Sequence, residues 1–175
     1  QNAVMFLGSS TIRLWKTLAQ DFAPTPVINR GFGGSEIADA THFADRLVFP
    51  HAPRQIIFRS GGNDLWAGKS PAEVCADFKT FVTTIHAKLP ETEIVFLSWN
   101  HSPSRWPGAA RERALNQLIA QYAANQPRVK YLDVSAVSLD ANGQPRAELF
   151  VSDRLHFNAA GYRLLSEAVR SHVAR

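Results

Sequence analysis

Short apolar runs alternate along this chain with longer segments in which apolar residues recur at helical spacing. The short runs predict five buried strands, at Val4–Leu7, Val27–Asn29, Gln55–Arg59, Glu93–Leu97 and Val129–Leu132. The longer segments predict helices at Thr11–Asp21, Ile37–Leu47 and Ala109–Ala124, a helix at Pro71–Leu89 capped by Ser70, and a last helix capped by Asn158. Strands that alternate with helices of this length are typical of parallel sheets with helical crossovers. The pattern therefore predicts an α/β protein, a three-layer α/β/α sandwich.

Composition narrows the classes of function. The 175 residues suit one domain, spanning 1–175, and 45% of them are hydrophobic, as in globular proteins. The net charge of +4 comes from scattered basic residues, without the cluster that nucleic-acid-binding proteins carry. Cys75 is the single cysteine, which excludes a disulfide within the chain and a zinc site built on cysteines. We therefore expect a small molecule, and no nucleic acid, as the partner.

The sequence predicts no membrane-spanning segment. No apolar stretch is long enough to span a bilayer, and no signal peptide is visible. The chain starts with Gln1 rather than Met, which is compatible with a removed leader. The compartment is therefore left open, as is the oligomeric state.

Polar and glycine-rich turns follow three of the predicted strands. The first strand runs into Gly8-Ser9-Ser10, and the second into a turn with Gly33 and Gly34. The third runs into Gly61-Gly62-Asn63-Asp64, and a loop ending in Asp153-Arg154-Leu155-His156 precedes the last helix. In open α/β sheets, ligands bind beyond the carboxyl ends of the strands. These segments are therefore the candidates for a functional site.

The residue types in these segments meet the needs of acyl transfer. That reaction requires a hydroxyl nucleophile, a base, a group that orients the base, and donors for the developing oxyanion. Ser10 can be the nucleophile, His156 the base and Asp153 the orienting carboxylate, while the backbone of Gly34 and the amide of Asn63 can be donors. Structural roles remain open: Ser10 as a helix cap, and Asn63 and Asp153 as turn residues.

These four segments resemble, in order, the four sequence blocks of the SGNH hydrolase superfamily, the GDSL-like esterase/lipase family. The resemblance covers nearly the whole chain. It implies a flavodoxin-like fold with a five-stranded parallel sheet and a serine esterase that needs no cofactor and no metal. It also implies the roles of individual residues. Ser10, Asp153 and His156 would form the catalytic triad, and the backbone of Ser10 and Gly34 with the side chain of Asn63 would form the oxyanion hole.

One position departs from the family pattern, because Ser9 stands where the family name requires an aspartate. We expect this change to leave activity intact and to alter the electrostatic field around Ser10. The loops beside the site are rich in aromatic and polar residues, and Trp66, Trp99, Asn100 and His101 are expected to contact the substrate. The histidines outside the Asp-x-x-His block lack the spacing of metal ligands.

The sequence supports one function and leaves others open. The main prediction is hydrolysis of small carboxylic esters, either short-chain acyl esters or acetylated carbohydrates, through an acyl-enzyme. Lysophospholipid and thioester hydrolysis are the nearest enzymatic alternatives. From other classes come a non-catalytic carbohydrate-binding module on the same fold and a flavodoxin-like cofactor carrier. The complete set of triad and oxyanion residues favours the esterase.

Overall fold

The computed structural model describes residues 3–174 and contains one parallel sheet of five strands in the order β2-β1-β3-β4-β5. The strands are β1 (Val4–Gly8), β2 (Val27–Gly31), β3 (Gln55–Arg59), β4 (Glu93–Leu97) and β5 (Val129–Leu132). Each neighbouring pair is parallel, with Val4 opposite Val27 in β2 and Gln55 in β3. This strand order is that of flavodoxin-like sheets. The structure confirms the predicted α/β class and the position of each strand.

Helices connect the strands and cover both faces of the sheet. They are α1 (Ser10–Arg13), α2 (Leu18–Asp21), α3 (Ile37–His42), α4 (Ala44–Leu47), α5 (Gly62–Trp66), α6 (Pro71–Lys88), α7 (Ala109–Ala123) and α8 (Ala159–Val169). Short 3₁₀ turns lie at Phe49–His51, Pro103–Gly108, Ser135–Ser138, Ala147–Leu149 and Arg170–His172. Within residues 3–174, no helix is both long and apolar enough to cross a bilayer.

Two hydrophobic clusters fill the space between the sheet and its helices. Side chains alternate between the two faces of β1, so that Met5 and Leu7 pack with α3, α6 and α7. Val4 and Phe6 face the opposite side and pack with α1, α2 and α8. All five residues of β1 are buried, as expected for the central part of a parallel sheet. The sheet therefore holds the end of β1 rigidly between two covered faces.

Helix caps explain where α6 and α8 begin. The Ser70 hydroxyl accepts a hydrogen bond from the Glu73 amide, and the Glu73 carboxylate accepts one from the Ser70 amide, which forms a capping box before α6. Asn158 accepts hydrogen bonds from the amides of Ala160 and Gly161 at the start of α8. Both caps were predicted from the sequence and are confirmed.

Two predicted helices are each divided in the structure. The segment 11–21 forms α1 and α2, because the Trp15 amide bonds to the Ile12 carbonyl in a tight turn and the Trp15 ring then donates to Asp21. The segment 37–47 divides at Phe43, which ends α3 and begins α4. In both places the buried side chains keep helical spacing while the backbone turns, so periodicity alone did not reveal the break.

Candidate active site

Ser10 follows the end of β1, in a turn whose first residue, Gly8, has no space for a side chain. A Cβ at Gly8 would lie 1.9 Å from the Arg59 carbonyl oxygen in β3, so only glycine fits at this position. The next amide, that of Ser9, donates to the same carbonyl at 3.2 Å. The chain then turns at once into α1, whose first residue is Ser10. The Ser10 hydroxyl is thereby positioned at the carboxyl edge of the sheet.

Ser10, His156 and Asp153 form one hydrogen-bonded chain. The Ser10 Oγ lies 2.9 Å from His156 Nε2, and His156 Nδ1 lies 2.6 Å from Asp153 Oδ2. If Nδ1 carries the ring proton and donates it to Asp153, Nε2 is free to accept the hydroxyl proton. This is the order of groups that turns a serine hydroxyl into a nucleophile.

Asp153 is held in its ionised form by the loop around it. Its Oδ1 accepts hydrogen bonds from the amides of Leu155, at 2.8 Å, and His156, at 3.0 Å. Burial acts to raise the pKa of the Asp153 carboxyl, but these bonds and the one from the His156 ring outweigh it and hold the pKa at about 2. The carboxylate is therefore charged at neutral pH and can orient the imidazole.

The loop that carries Asp153 and His156 is closed at its base. The rings of Phe150 and Phe157 stack with centroids 5.0 Å apart, and the Val151 amide donates to the His156 carbonyl. Beyond the loop, the Tyr162 hydroxyl in α8 donates to the Thr11 carbonyl in α1 at 2.8 Å. This bond ties the helix that follows the loop to the helix that begins with Ser10.

Gly34 lies in the turn after β2, and Asn63 lies in the segment that follows β3. Gly34 has a φ of +79°, a conformation that glycine adopts without strain. Asn63 lies in α5, and its Nδ2 donates to the Ser35 carbonyl at 3.0 Å, which places the amide beside Gly34. Arg105 donates to Asn63 Oδ1 at 3.0 Å, which fixes which end of the amide is the donor.

Asp64, the last residue of the Gly-Gly-Asn-Asp block, has a structural contact rather than a place in the cavity. Its side chain is fully buried, and its two oxygens accept from the Ile37 amide at 3.2 and 3.3 Å. Burial raises the pKa of this carboxyl, against the opposing effect of the Ile37 hydrogen bond and of Lys69. Asp64 therefore joins α5, which contains Asn63, to the start of α3.

A cavity of about 320 Å³ lies at this edge of the sheet. Ser10, Gly34, Asn63 and His156 all line it. The structure thus brings together these four residues, which come from four separate segments of the chain, with Asp153 behind His156. A pocket of this size is at the small end of ligand-binding cavities.

Two of the four residues expected to contact the substrate line the cavity. Trp99 is 7% exposed, and its ring stacks on the Arg59 guanidinium at 4.5 Å and donates to the Ser60 carbonyl. Asn100 accepts a hydrogen bond from Arg59 through its Oδ1. Both residues belong to the segment after β4 and lie beside the site.

The other two, Trp66 and His101, do not line the cavity, contrary to the expectation. Trp66 is 56% exposed on the outer surface, where its ring lies 5.5 Å from the Arg105 guanidinium. His101 is turned inward, 2% exposed, with its Nδ1 2.7 Å from Glu112 Oε2. Tertiary contacts in α7 and the 103–108 turn set these orientations, and adjacency in sequence did not indicate them.

Arg59 and Arg105 line the cavity but were not among the predicted site residues. Arg59 is fully buried, and this burial lowers its pKa to about 10 although nearby Glu112 acts in the opposite direction. Burial also lowers the pKa of Arg105, again opposed by Glu112. The position of Arg59, a charged residue at the end of the apolar strand Ile56-Ile57-Phe58, was not used in the prediction of the site.

A second groove, of about 650 Å³, lies on the other side of His156. Apolar side chains form much of its wall, with Leu14, Val151, Phe157 and Tyr162 among them. Leu14, His156 and Phe157 line both the cavity and the groove, so the two spaces meet at the imidazole. In the described part of the chain, His, Cys, Asp and Glu side chains form no group of three that could hold a metal ion.

Comparison with known proteins matches this arrangement to a family. Residues 7–164 match the model of the GDSL-like Lipase/Acylhydrolase family, a span that contains Ser10, Gly34, Asn63, Asp153 and His156. The chain belongs to the GDSL-like lipase/acylhydrolase family. This family membership confirms the resemblance drawn from the four blocks and assigns the chain to a family of ester-hydrolysing enzymes.

Individual relatives of this GDSL-like protein are distant. The alpha1 subunit of platelet-activating factor acetylhydrolase IB from Bos taurus is 24% identical over 98% of this chain and 75% of its own length. A catalytic mutant of an acetylxylan esterase from Geobacillus stearothermophilus has a TM-score of 0.76 at 14% identity, over 99% and 94% of the two chains. A GDSL-like lipase from Bacteroides thetaiotaomicron has a TM-score of 0.80 at 15% identity, over 97% and 86%. The two structures show a shared fold.

Proposed function

We propose that this chain is a serine esterase that hydrolyses small carboxylic esters, either short-chain acyl esters or acetylated carbohydrates, through an acyl-enzyme. The observation that carries the proposal is the hydrogen-bonded chain Ser10–His156–Asp153 at a cavity that Gly34 and Asn63 also line. A carbohydrate-binding module has no use for an accessible hydroxyl next to an oriented base. The complete set therefore favours catalysis over binding alone.

In the first step, the Ser10 Oγ attacks the ester carbonyl carbon while His156 Nε2 takes the hydroxyl proton. The resulting imidazolium is stabilised by the Asp153 carboxylate, 2.6 Å from Nδ1. The carbonyl oxygen becomes an oxyanion, for which the donors are the amides of Ser10 and Gly34 and the side-chain amide of Asn63. The Ser10 amide is available because it is one of the free N–H groups at the start of a helix.

After the first tetrahedral intermediate has formed, the same imidazole acts first as an acid and then as a base. His156 Nε2–H protonates the leaving alkoxide oxygen, the carbon–oxygen bond breaks, and the acyl group stays on Ser10. A water molecule then gives a proton to Nε2 and attacks the acyl carbon. Collapse of the second tetrahedral intermediate returns the proton to Ser10 and releases the carboxylic acid.

The size and lining of the cavity support a small acyl group. The cavity of about 320 Å³ is small, and the polar residues Arg59, Asn100 and Ser102 are among those that line it, which makes it a poor site for a long alkyl chain. Two of the related proteins are named for acetyl esters, a platelet-activating factor acetylhydrolase and an acetylxylan esterase. Both observations support acetyl or another short chain as the transferred group.

One observation favours a second candidate, hydrolysis of lysophospholipids or of esters with longer chains. The groove beside His156 is lined by Leu14, Val151 and Phe157 and is large enough for an alkyl chain. Because His156 lines both the groove and the cavity, a chain seated in the groove would start beside the imidazole. A series of esters with increasing chain length separates the two candidates.

The test is hydrolysis of p-nitrophenyl acetate and its longer homologues by the wild type, by Ser10→Ala and by Ser171→Ala. Ser171 is an exposed residue and serves as the matched control. We expect Ser10→Ala to lose activity by a factor of at least about 10⁴, as for other serine nucleophiles, and Ser171→Ala to equal the wild type. A rate that falls steadily from acetate to longer chains would support the small-ester substrate.

A fluorophosphonate probe makes the test independent of the chosen ester. We expect covalent labelling of the wild type and none of Ser10→Ala, since the probe needs only an activated serine. If the wild type is folded, unlabelled and inert toward every ester, the esterase proposal is wrong. Turnover that increases from acetate to octanoate would instead favour the second candidate.

A further inference from the structure

The walls of the 320 Å³ cavity carry an excess of positive charge. Three arginines line it, Arg13, Arg59 and Arg105, together with one acidic residue, Glu112. Glu112 is itself buried, and its Oε2 lies 2.7 Å from His101 Nδ1, so one of its two oxygens already contacts the imidazole. The charges facing the cavity are therefore unbalanced toward the positive.

None of the three arginines forms an ion pair within 4.0 Å in the described part of the chain, residues 3–174. Arg59 donates to the Ser98 carbonyl and to Asn100, and Arg105 donates to Asn63, all of which are neutral acceptors. Removing a guanidinium group from water without an anionic partner costs free energy, and this applies to Arg59, which is fully buried, and to Arg105, which is partly buried. An anion bound in the cavity would recover part of that cost.

Two of the arginines are placed to reach a ligand. Arg59 is fully buried and packed under the Trp99 ring, so it contributes charge to the floor. Arg13 is exposed, and its guanidinium lies over Gly33, since a Cβ at that glycine would be 3.0 Å from Nη1. Arg105 lies beside Asn63. Arg13 and Arg105 therefore lie beside the turns that carry the proposed oxyanion donors, Gly34 and Asn63.

We propose that Arg13 and Arg105 bind an anionic group of the ester substrate, a carboxylate, sulfate or phosphate. The proposal rests on the esterase function proposed above and names the class of ester that this site selects. The guanidinium fork pairs with such groups through two parallel hydrogen bonds, which explains the use of arginine at both positions. Ser9 lines the same cavity and adds no negative charge to it.

The first experiment measures anion binding without turnover. Sodium sulfate and sodium phosphate are titrated into the wild type, Arg13→Gln, Arg105→Gln and Arg105→Lys, and the melting temperature is compared with that in sodium chloride of equal ionic strength. Arg46→Gln is the matched control, because Arg46 is exposed on α4 and does not line the cavity. This readout tests the anion site even if every ester proves inert.

We expect sulfate to stabilise the wild type beyond the chloride control and each Arg→Gln change to weaken its apparent affinity about tenfold, equivalent to about 1.4 kcal/mol. Arg105→Lys should retain part of the effect, and Arg46→Gln all of it. If sulfate and chloride act alike on the wild type, or if Arg46→Gln weakens binding as much as the cavity variants, the anion site does not exist.

The second experiment asks which half of the ester carries the anion. One pair of substrates differs in the leaving group, 4-acetoxybenzoate against 4-acetoxybenzamide. Another pair differs in the acyl group, mono-4-nitrophenyl adipate against its methyl ester. We expect kcat/KM to favour the anionic member of one pair about tenfold, a preference that Arg13→Gln and Arg105→Gln remove. Equal values within both pairs for an active wild type would overturn the proposal while leaving the esterase function intact.

Discussion

The nucleophile turn and the base loop reach the same cavity by different means. The nucleophile turn, Gly8–Ser10, ends a strand that is buried on both faces, and its backbone is in contact with β3 at Arg59. The base loop, Val151–His156, lies on the surface, and the Asp153 side chain is 47% exposed. Contacts with the core of the sheet hold the nucleophile turn in place. Hydrogen bonds within six residues hold the base loop in place.

Because of this difference, substitutions in the two segments should affect stability and activity to different extents. A change in the nucleophile turn disturbs the packing of β1 against β3 and therefore the free energy of unfolding of the whole domain. A change in the base loop removes local hydrogen bonds at the surface, which contribute little to global stability. The proposed catalytic geometry nevertheless needs both, because Ser10 and His156 must remain 2.9 Å apart.

The largest effect that tests this comparison is expected from Asp153→Asn. The asparagine Oδ1 can still accept from the amides of Leu155 and His156, so the loop keeps its shape. Its Nδ2, however, would donate to His156 Nδ1 and favour the tautomer with the proton on Nε2, which cannot act as a base. We expect kcat to fall about 10⁴-fold with the free energy of unfolding changed by less than about 1 kcal/mol. Ester hydrolysis and urea unfolding measure the two quantities.

Asp140→Asn is the matched control for this change. Asp140 is also exposed, and its Oδ1 accepts from the amides of Asn142 and Gln144 in a similar turn, away from the cavity. It should leave kcat at the wild-type value. Loss of the fold in Asp153→Asn, rather than loss of activity alone, would show that the base loop is not a separate local unit.

The opposite outcome is expected from Gly8→Ala in the nucleophile turn. A Cβ there would lie 1.9 Å from the Arg59 carbonyl oxygen, so β1 and β3 must move apart. We expect the free energy of unfolding to fall by about 3 kcal/mol or more, as for overpacked core sites. Thermal and urea unfolding give the measurement.

Gly143→Ala provides the comparison for backbone strain alone. Gly143 has a φ of +72° and nothing within 4 Å of its Cβ position, so only the left-handed conformation is penalised, by about 1 kcal/mol. Equal destabilisation by the two changes would contradict the tight contact at Gly8 and with it the claim that the core positions Ser10.

Much of this architecture could be predicted from the sequence, for physical reasons that differ by region. The apolar runs before Gly8 and before Gly61 identified buried strands, and parallel topology places their ends at one edge. Ser70 and Asn158 act on amides within three residues, so their caps are visible locally. Such features depend on neighbours in sequence, and the structure agrees with each of them.

The remaining features depend on contacts between distant segments. The break at Phe43 and the inward turn of His101 toward Glu112 follow from tertiary packing. The same is true of Arg105, whose contact with Asn63 joins residues 42 positions apart. No local pattern distinguishes these residues from their neighbours, and the charge of the cavity could therefore be described only from the structure.

The smallest expected effect concerns the pH dependence of stability in the base loop. The pKa of Asp153 is about 2 in the folded protein, below the value of about 3.9 for an unperturbed aspartate. A depressed pKa means that the folded state binds the proton less readily than the unfolded state. The carboxylate therefore contributes stability that is complete above about pH 5 and is lost as the pH falls through 4 toward 2.

Comparison of the wild type with Asp153→Asn isolates this contribution, because the other carboxylates titrate in both proteins. We expect the difference in free energy of unfolding to be constant above about pH 5, less than about 1 kcal/mol because the group is half exposed, and to shrink below pH 4. Urea unfolding between pH 2.5 and 6 provides the measurement. A difference that stays constant over this range would mean that the bonds from Leu155 and His156 do not hold the carboxylate, and the base loop would then owe its shape to the Phe150–Phe157 stack instead.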